Sequence, residues 1–300
     1  MGELKLGTLT EAEVEPWASF LGRENRMDPG YFLRHYENDP DRCLNSIFVF
    51  RDGEKIVSSV RVFHRKCTLG GSVIPVGAIG EVCTDSGYRC RGLSRALLAE
   101  AVRYMEREKF PLSELRTRVD LQPHYAIHGY RRVIKNRLIL EKPDVSGEKE
   151  CLRPLLLSDY PQMAALYERI APSYSMMAVR SPAYWQSWCP AELSHPTGLF
   201  REGQLMGYIC YADNNVRELI APPEMHDALL KAVQTEKTEL DVPGFTVSRQ
   251  RLVRTCSLLY TMVRVNSPFS AFGTEFSDTE VFADFLNGLG GTHALHADWY

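Results

Sequence analysis

Arg89, Arg91, Gly92 and Ser94 stand in the order Arg-x-x-Gly-x-Ser, behind the apolar stretch Ala78 to Thr84 and in front of a run with helical apolar spacing from Leu93. A strand, a short turn and a helix in that order aim the first amides of the helix at the strand end. Those amides have no partner inside the helix, and the macrodipole adds partial positive charge, so the turn is a seat for an anion such as a diphosphate. Gly92 lets a ligand come close to the backbone, and the forked guanidinium donors of Arg89 and Arg91 suit phosphate oxygens. Cys90, Leu93 and Arg95 belong to the same turn, so residues 89–95 form one candidate phosphate-binding segment.

Other phosphate binders are excluded by spacing. The chain has neither Gly-x-x-x-x-Gly-Lys-Ser/Thr nor Gly-x-Gly-x-x-Gly after a first strand. The formal charge of −3 over 300 residues leaves no basic footprint for nucleic acid, and no Lys/Arg run is long enough to anchor at a membrane. No apolar stretch has the length of a membrane span, and Met1 to Thr10 lacks the apolar segment of a signal peptide, so the expected location is the cytosol. The eight cysteines are scattered without a Cys-x-x-Cys pair, which points to reduced thiols and to no metal site. Cys83 and Cys90, beside the turn, are expected to be buried.

The elements that must position this segment follow from periodicity. The expected fold class is mixed α/β. Glu11 to Leu21 and Tyr31 to Tyr36 read as helices. Asn45 to Arg51 and Lys55 to His64 read as strands joined at Asp52-Gly53, a strong hairpin signal. Gly70-Gly71 turns the chain into Val73 to Val76 and the strand Ala78 to Thr84. Leu93, Ala96, Leu97, Ala101, Tyr104 and Met105 make one face of a helix to Lys109 that should lie on the sheet. A strand from Leu112 to Val119, a short helix Pro123 to His128 and a last strand Tyr130 to Leu140 complete the block.

Lys142 to Glu148 is polar and turn-rich and marks a boundary. Beyond it the order repeats: a helix Asp159 to Ile170, strands Gly198 to Arg201, Gln204 to Tyr211 and Val216 to Ile220, then a helix Pro223 to Val233. At the corresponding turn Ala221-Pro222-Pro223-Glu224 replaces Arg-x-x-Gly, so no phosphate cradle is expected there. The remainder holds a strand Leu258 to Val265 and a helix Ser277 to Leu289. Ser277 and Glu280 read as a capping box, and Val281, Phe282, Phe285, Leu286 and Leu289 as the apolar side. The divisions are therefore residues 1–142, 150–246 and 247–300.

Arg-x-x-Gly-x-Ser at 89–94 resembles motif A of the GNAT superfamily of acyl-CoA-dependent N-acetyltransferases, with Ser94 where Gly or Ala is usual. Together with Tyr125-Ala-Ile-His-Gly-Tyr130 and the repeated block, the chain resembles the enhanced intracellular survival (Eis) type. The resemblance implies two tandem GNAT-like mixed-sheet domains, the second degenerate and without cofactor. It also implies a short C-terminal α+β module where the family has a larger sterol-carrier-like domain.

The activity so implied is transfer of the acetyl group of acetyl-CoA to a primary amine, by direct attack in a ternary complex without a metal. The acceptors implied are small-molecule amines, aminoglycosides or lysine-like, and the protein is expected to be a homo-oligomer without nucleic-acid or membrane partners. By the same resemblance, the backbone of Val82, Cys83 and Thr84 bonds the pantetheine arm and thioester carbonyl, and Tyr125 gives a proton to the CoA sulfur. A phenol with a pKa near ~10 stays protonated at neutral pH and can do so. The base so implied is the terminal carboxylate of Tyr300, for which burial beside Trp299 would have to raise a low pKa. Glu81, His128 and His296 compete for that role. Transfer of another acyl group or to a hydroxyl, and a non-catalytic CoA-binding scaffold, are the alternatives.

Overall fold

The computed structural model describes residues 3–141, 151–233, 237–240 and 252–289. The chain opens with β1 (Leu4–Thr8) and two helices, α1 (Val14–Asn25) and α2 (Pro29–Asn38). Asp28 caps α2 by accepting the Gly30 amide, with Pro29 at the first helical position where no N–H is missed. β2 (Ile47–Asp52), β3 (Lys55–Leu69) and β4 (Ser72–Thr84) then form an antiparallel meander, turning at the two glycine-containing pairs expected from sequence. α3 (Leu93–Arg107) crosses to β5 (Leu112–Arg116), which lies parallel to β4 in register Val76↔Leu112 to Ile79↔Leu115. α4 (Gln122–Ala126) and β6 (Arg131–Glu141) follow.

α3 lies on the sheet because its apolar stripe has nowhere else to go. Leu93, Leu97, Leu98, Ala101, Tyr104 and Met105 are all buried, the last five in one cluster with Phe48, Val60, Val62 and Ile79 of the strands. Gly77 of β4 permits the approach: a Cβ there would stand 2.3 Å from the Met105 sulfur.

The second half repeats the plan. After β7 (Cys151–Pro154), α5 (Tyr160–Ile170), β8 (Met177–Ala178), α6 (Pro182–Gln186) and α7 (Trp188–Glu192) comes another meander, β9 (Thr197–Arg201), β10 (Gln204–Ala212) and β11 (Asn215–Ile220). α8 (His226–Leu230) leads to β12 (Lys237–Leu240), which pairs parallel with β11 as β5 does with β4.

The two halves share one sheet, of order β1-β2-β3-β4-β5-β13-β6-β12-β11-β10-β9-β7, where β13 is Leu252–Val265. β13 comes from the last part of the chain yet lies between β5 and β6, antiparallel to both. β6 in turn pairs with β12 of the second half. β8 pairs with β3, and one buried cluster joins Phe63, Val76 and Leu112 to Trp188, Phe200, Tyr208, Phe269, Phe276 and Phe282. The strand expected at Leu258 to Val265 is thus longer and completes the sheet of the first half.

The hairpin β14 (Phe269–Ala271) and β15 (Thr274–Phe276) precedes α9 (Thr279–Gly288), which packs on β6 and β13. The α9 cap differs from the sequence expectation. Asp278, not Ser277, takes the extended cap conformation and accepts the amides of Glu280 and Val281. Phe282, Ala283 and Leu286 are buried, while Val281 and Leu289 are 60% and 43% exposed, so these two are not part of the apolar side.

Candidate active site

Glu81 breaks the regularity of β4. Ser59 pairs with Cys83 and Arg61 with Gly80, so Glu81 and Val82 together face Val60, and Glu81 has φ 52°. This is a β-bulge, and a left-handed non-glycine residue costs roughly 1–2 kcal/mol, which the surrounding pairing must offset. The β4–β5 ladder ends at Ile79↔Leu115, while β4 continues to Thr84. Beyond β5 the chain follows β13, the Thr117 amide bonding the Tyr260 carbonyl at 2.8 Å. The two strands therefore part, and the β4 edge at Val82, Cys83 and Thr84 has no β5 residue opposite it. Alternate backbone groups on such an edge are free for an extended ligand.

The turn after β4 leads into the helix as the sequence implied. Gly92 is the N-cap of α3 at φ 76°, has no side-chain cap, and a Cβ added there meets nothing within 4 Å. The first intrahelical bond runs from the Ala96 amide to the Gly92 carbonyl, so Leu93, Ser94 and Arg95 present the uncapped first-turn amides. Arg89, Cys90, Arg91 and Arg95 are exposed around them. Arg89 is steered by its Nε, which donates to the Thr84 carbonyl at 3.3 Å, and Arg91 lies over the Tyr88 ring at 5.3 Å. Cys83 is buried as expected. Cys90 is exposed with φ 60°, because the turn must bend away from the sheet before the helix begins.

Tyr125 is buried on α4, whose place beside the turn is marked by a direct contact: Ser94 Oγ lies 3.2 Å from His124 Nε2. Burial pushes the Tyr125 phenol up, and a hydrogen bond with Thr117 works the other way. His124 and His128 are both pulled below the usual imidazole value, first by burial and then by neighbouring positive charge that includes Arg95. His128 Nε2 is buried without a hydrogen-bond partner. Tyr130, one glycine beyond, is fully buried under the sheet.

Of the possible bases, Tyr300 and His296 lie outside the described residues, and His128 lies in the turn two residues beyond the end of α4. Glu81 is well inside. Its side chain is 5% exposed, Oε1 lies 3.5 Å from Arg61 Nη1, and Oε2 is buried without a hydrogen-bond partner. Burial raises its carboxyl pKa, against the lowering effect of Arg61 and His35. Arg61 cannot neutralise it fully, because its Nη2 bonds Asp39 at 2.8 Å, and Arg65 bonds the other Asp39 oxygen at 3.0 Å.

Sequence reading missed the surroundings of Glu81. His35 of α2 packs against the Tyr31 ring at 4.1 Å, and its Nε2 is 3.0 Å from a carboxylate oxygen of Glu192 on α7. The Tyr31 phenol is pushed up to about 12 by burial, with Glu192 and Glu81 adding to the effect. These residues are scattered singly through the sequence, and only the packing of α2 on α7 collects them. His124 was also passed over, although its position one residue before Tyr125 was a usable signal.

In the second half the corresponding turn offers no seat. Pro222 and Pro223 lack amide hydrogens, Glu224 adds negative charge, and α8 is only five residues long. The buried carboxylate of that half, Glu218 on β11, is sealed by both terminal nitrogens of Arg180 at 2.9 and 2.6 Å and by the Tyr208 hydroxyl. Among the described residues no His/Cys/Asp/Glu group could hold a metal ion, and no helix is long and apolar enough to cross a membrane.

Residues 7–132 match the family model described as the acetyltransferase (GNAT) domain. No curated protein matches the sequence. Among solved structures, a probable N-acyltransferase from Enterococcus faecalis shares 16% identity, with a TM-score of 0.71 over 88% of this chain and 73% of that one. Eis1 from Mycobacterium abscessus is similar at 16% identity, with a TM-score of 0.63 over 88% of this chain and 74% of that one. N-myristoyltransferase from Saccharomyces cerevisiae, solved with bound myristoyl-CoA, is similar at 9% identity with a TM-score of 0.59 over 93% and 84%. The chain thus carries a GNAT domain in its first half, and its fold over most of its length is one shared with acyltransferases.

Proposed function

We propose that this GNAT-domain protein is an acetyl-CoA-dependent N-acetyltransferase acting on a small-molecule primary amine, in a ternary complex and as a homo-oligomer. The observation that carries the reading is the pairing of two features at one strand end: β4 parts from β5 after Ile79, and the uncapped N-terminus of α3 opens at Gly92. An extended chain with a diphosphate fits that combination, the chain along Val82 to Thr84 and the diphosphate at residues 89–95. Within this proposal residues 1–142 are the catalytic unit, 150–246 a second unit without cofactor, and 247–300 a C-terminal module.

Acetyl-CoA supplies an acyl group activated as a thioester. Backbone amides of the open β4 edge polarise the carbonyl, and donors aimed at a developing oxyanion are worth about 3 kcal/mol each in other enzymes. The amine nitrogen forms the C–N bond as the C–S bond breaks. Tyr125, kept protonated by burial, gives its proton to the departing sulfur. The ammonium proton goes to a carboxylate. The terminal group of Tyr300 is one reading, and Glu81 is the second, favoured by its buried, unpartnered Oε2 and raised pKa.

The test is thiol release from acetyl-CoA and from longer acyl-CoA thioesters against a panel of amines and alcohols. Turnover with acetyl-CoA and an amine supports the proposal. Preference for a long acyl chain or for a hydroxyl redirects it within acyl transfer, and CoA binding without turnover on any acceptor identifies a scaffold.

A further inference from the structure

The contact between Ser94 Oγ and His124 Nε2, 3.2 Å long, joins the first turn of α3 to α4 through their side chains. Ser94 lies in the uncapped turn that presents the anion seat, and His124 directly precedes Tyr125, their rings 5.4 Å apart. α4 has only five residues, so it holds little stiffness of its own, and its buried residues are Gln122 and Tyr125. A side chain that fixes such a short helix against the anion seat decides where the phenol stands.

We propose that His124 is a positioning residue that couples occupation of the diphosphate seat to the placement of Tyr125, so that the remote end of the cosubstrate sets the rate of proton delivery at the sulfur. The proposal rests on the acyl-CoA reading above. Binding energy from a non-reacting part of a substrate is then used to order the reacting centre, which shows in kcat rather than in KM alone. The groups facing His124 are Ser94 and Arg95 from α3, and Tyr125 and His128 from its own segment. Burial first, and the Arg95 charge second, hold the His124 imidazole below its usual value, so a diphosphate that engages Arg95 relieves the second of these effects.

The experiment compares acetyl-CoA with S-acetyl-pantetheine, which carries the same thioester and no diphosphate. In the unaltered protein kcat should be higher for acetyl-CoA, and in His124→Ala the ratio of the two kcat values should fall by about 10- to 100-fold. His124→Gln, whose amide can still meet Ser94, should restore part of the ratio. An unchanged ratio, with both thioesters slowed alike, would mean a merely structural role and overturn the proposal. A second readout needs no turnover: in the full chain with labelled histidine, CoA should raise the pKa read from the His124 ring signal, pantetheine should not, and Ser94→Ala should abolish the response. No response of His124 to CoA overturns the coupling. A response in a protein that turns over neither thioester upholds the coupling and removes the acyl-transfer reading.

Discussion

Glu81 Oε1 lies 3.5 Å from Arg61 Nη1, while Glu81 Oε2 is buried and has no hydrogen-bond partner. A half-satisfied carboxylate at a left-handed bulge is costly to keep, and such strain is concentrated at functional sites. Glu81→Gln should lower kcat about 10²–10⁴-fold if this group takes the amine proton. Because burial raises its pKa, the working, ionised form is lost as pH falls through that raised value. The acid limb of the kcat profile should therefore disappear in the variant. A full rate in Glu81→Gln takes Glu81 out of the role; a chain extended by a few residues beyond Tyr300 that is inactive while still folded would then select the terminal carboxylate, and an active one His128 or His296.

Tyr125→Phe removes one hydroxyl from a buried position and leaves the ring packing intact. The expected result is a fall in kcat of about 10²–10⁴-fold with CoA affinity, measured by calorimetry, within about twofold of the original. An unaffected rate would take Tyr125 out of the acid role.

Gly92→Ala separates backbone strain from packing. Its Cβ would meet nothing within 4 Å, so the variant should fold, at a cost of roughly 1–2 kcal/mol for a left-handed alanine at φ 76°. That strain is relieved by tilting the first turn of α3, which misaims the amides. CoA affinity should fall by more than stability does, as read by calorimetry beside a thermal melt. Loss of stability alone, with affinity intact, would place the diphosphate elsewhere.

Ending the chain at residue 251 removes β13 and so exposes the facing edges of β5 and β6. Unpaired central edges aggregate or unfold. The truncated protein should show no cooperative melt and no CoA binding, although every residue of the matched GNAT domain, 7–132, is still present. A soluble, CoA-binding fragment would show that the first half holds its sheet without the inserted strand.

Glu13 is held at about 2 by the Arg51 guanidinium, against the opposing cost of burial, with Thr10 adding two hydrogen bonds. Its folded-state pKa lies below the unfolded value near 4.5, so the stabilisation is present above pH ~4.5 and is lost as pH falls toward 2. Arg51→Met should flatten the fall in melting temperature across that window. An unchanged acid slope would show that other carboxylates carry it.

Residue order alone determined the local parts of this protein. The hairpins at Asp52-Gly53 and Gly70-Gly71, the stripe of α3 and the Gly92 turn depend on contacts within a few residues, so propensity and periodicity expose them. Tertiary structure decided the rest. Sequence separation hides the insertion of β13 between β5 and β6, because strand pairing follows edge complementarity and not chain order. It equally hides the gathering of Tyr31, His35, Glu81 and Glu192, and the meeting of Ser94 with His124. Even Glu81, legible as a candidate, took its unpartnered oxygen and raised pKa from a bulge and from Arg61 being committed to Asp39. A side chain's chemistry is set by its solvent and its neighbours, and those are assigned only when distant segments pack.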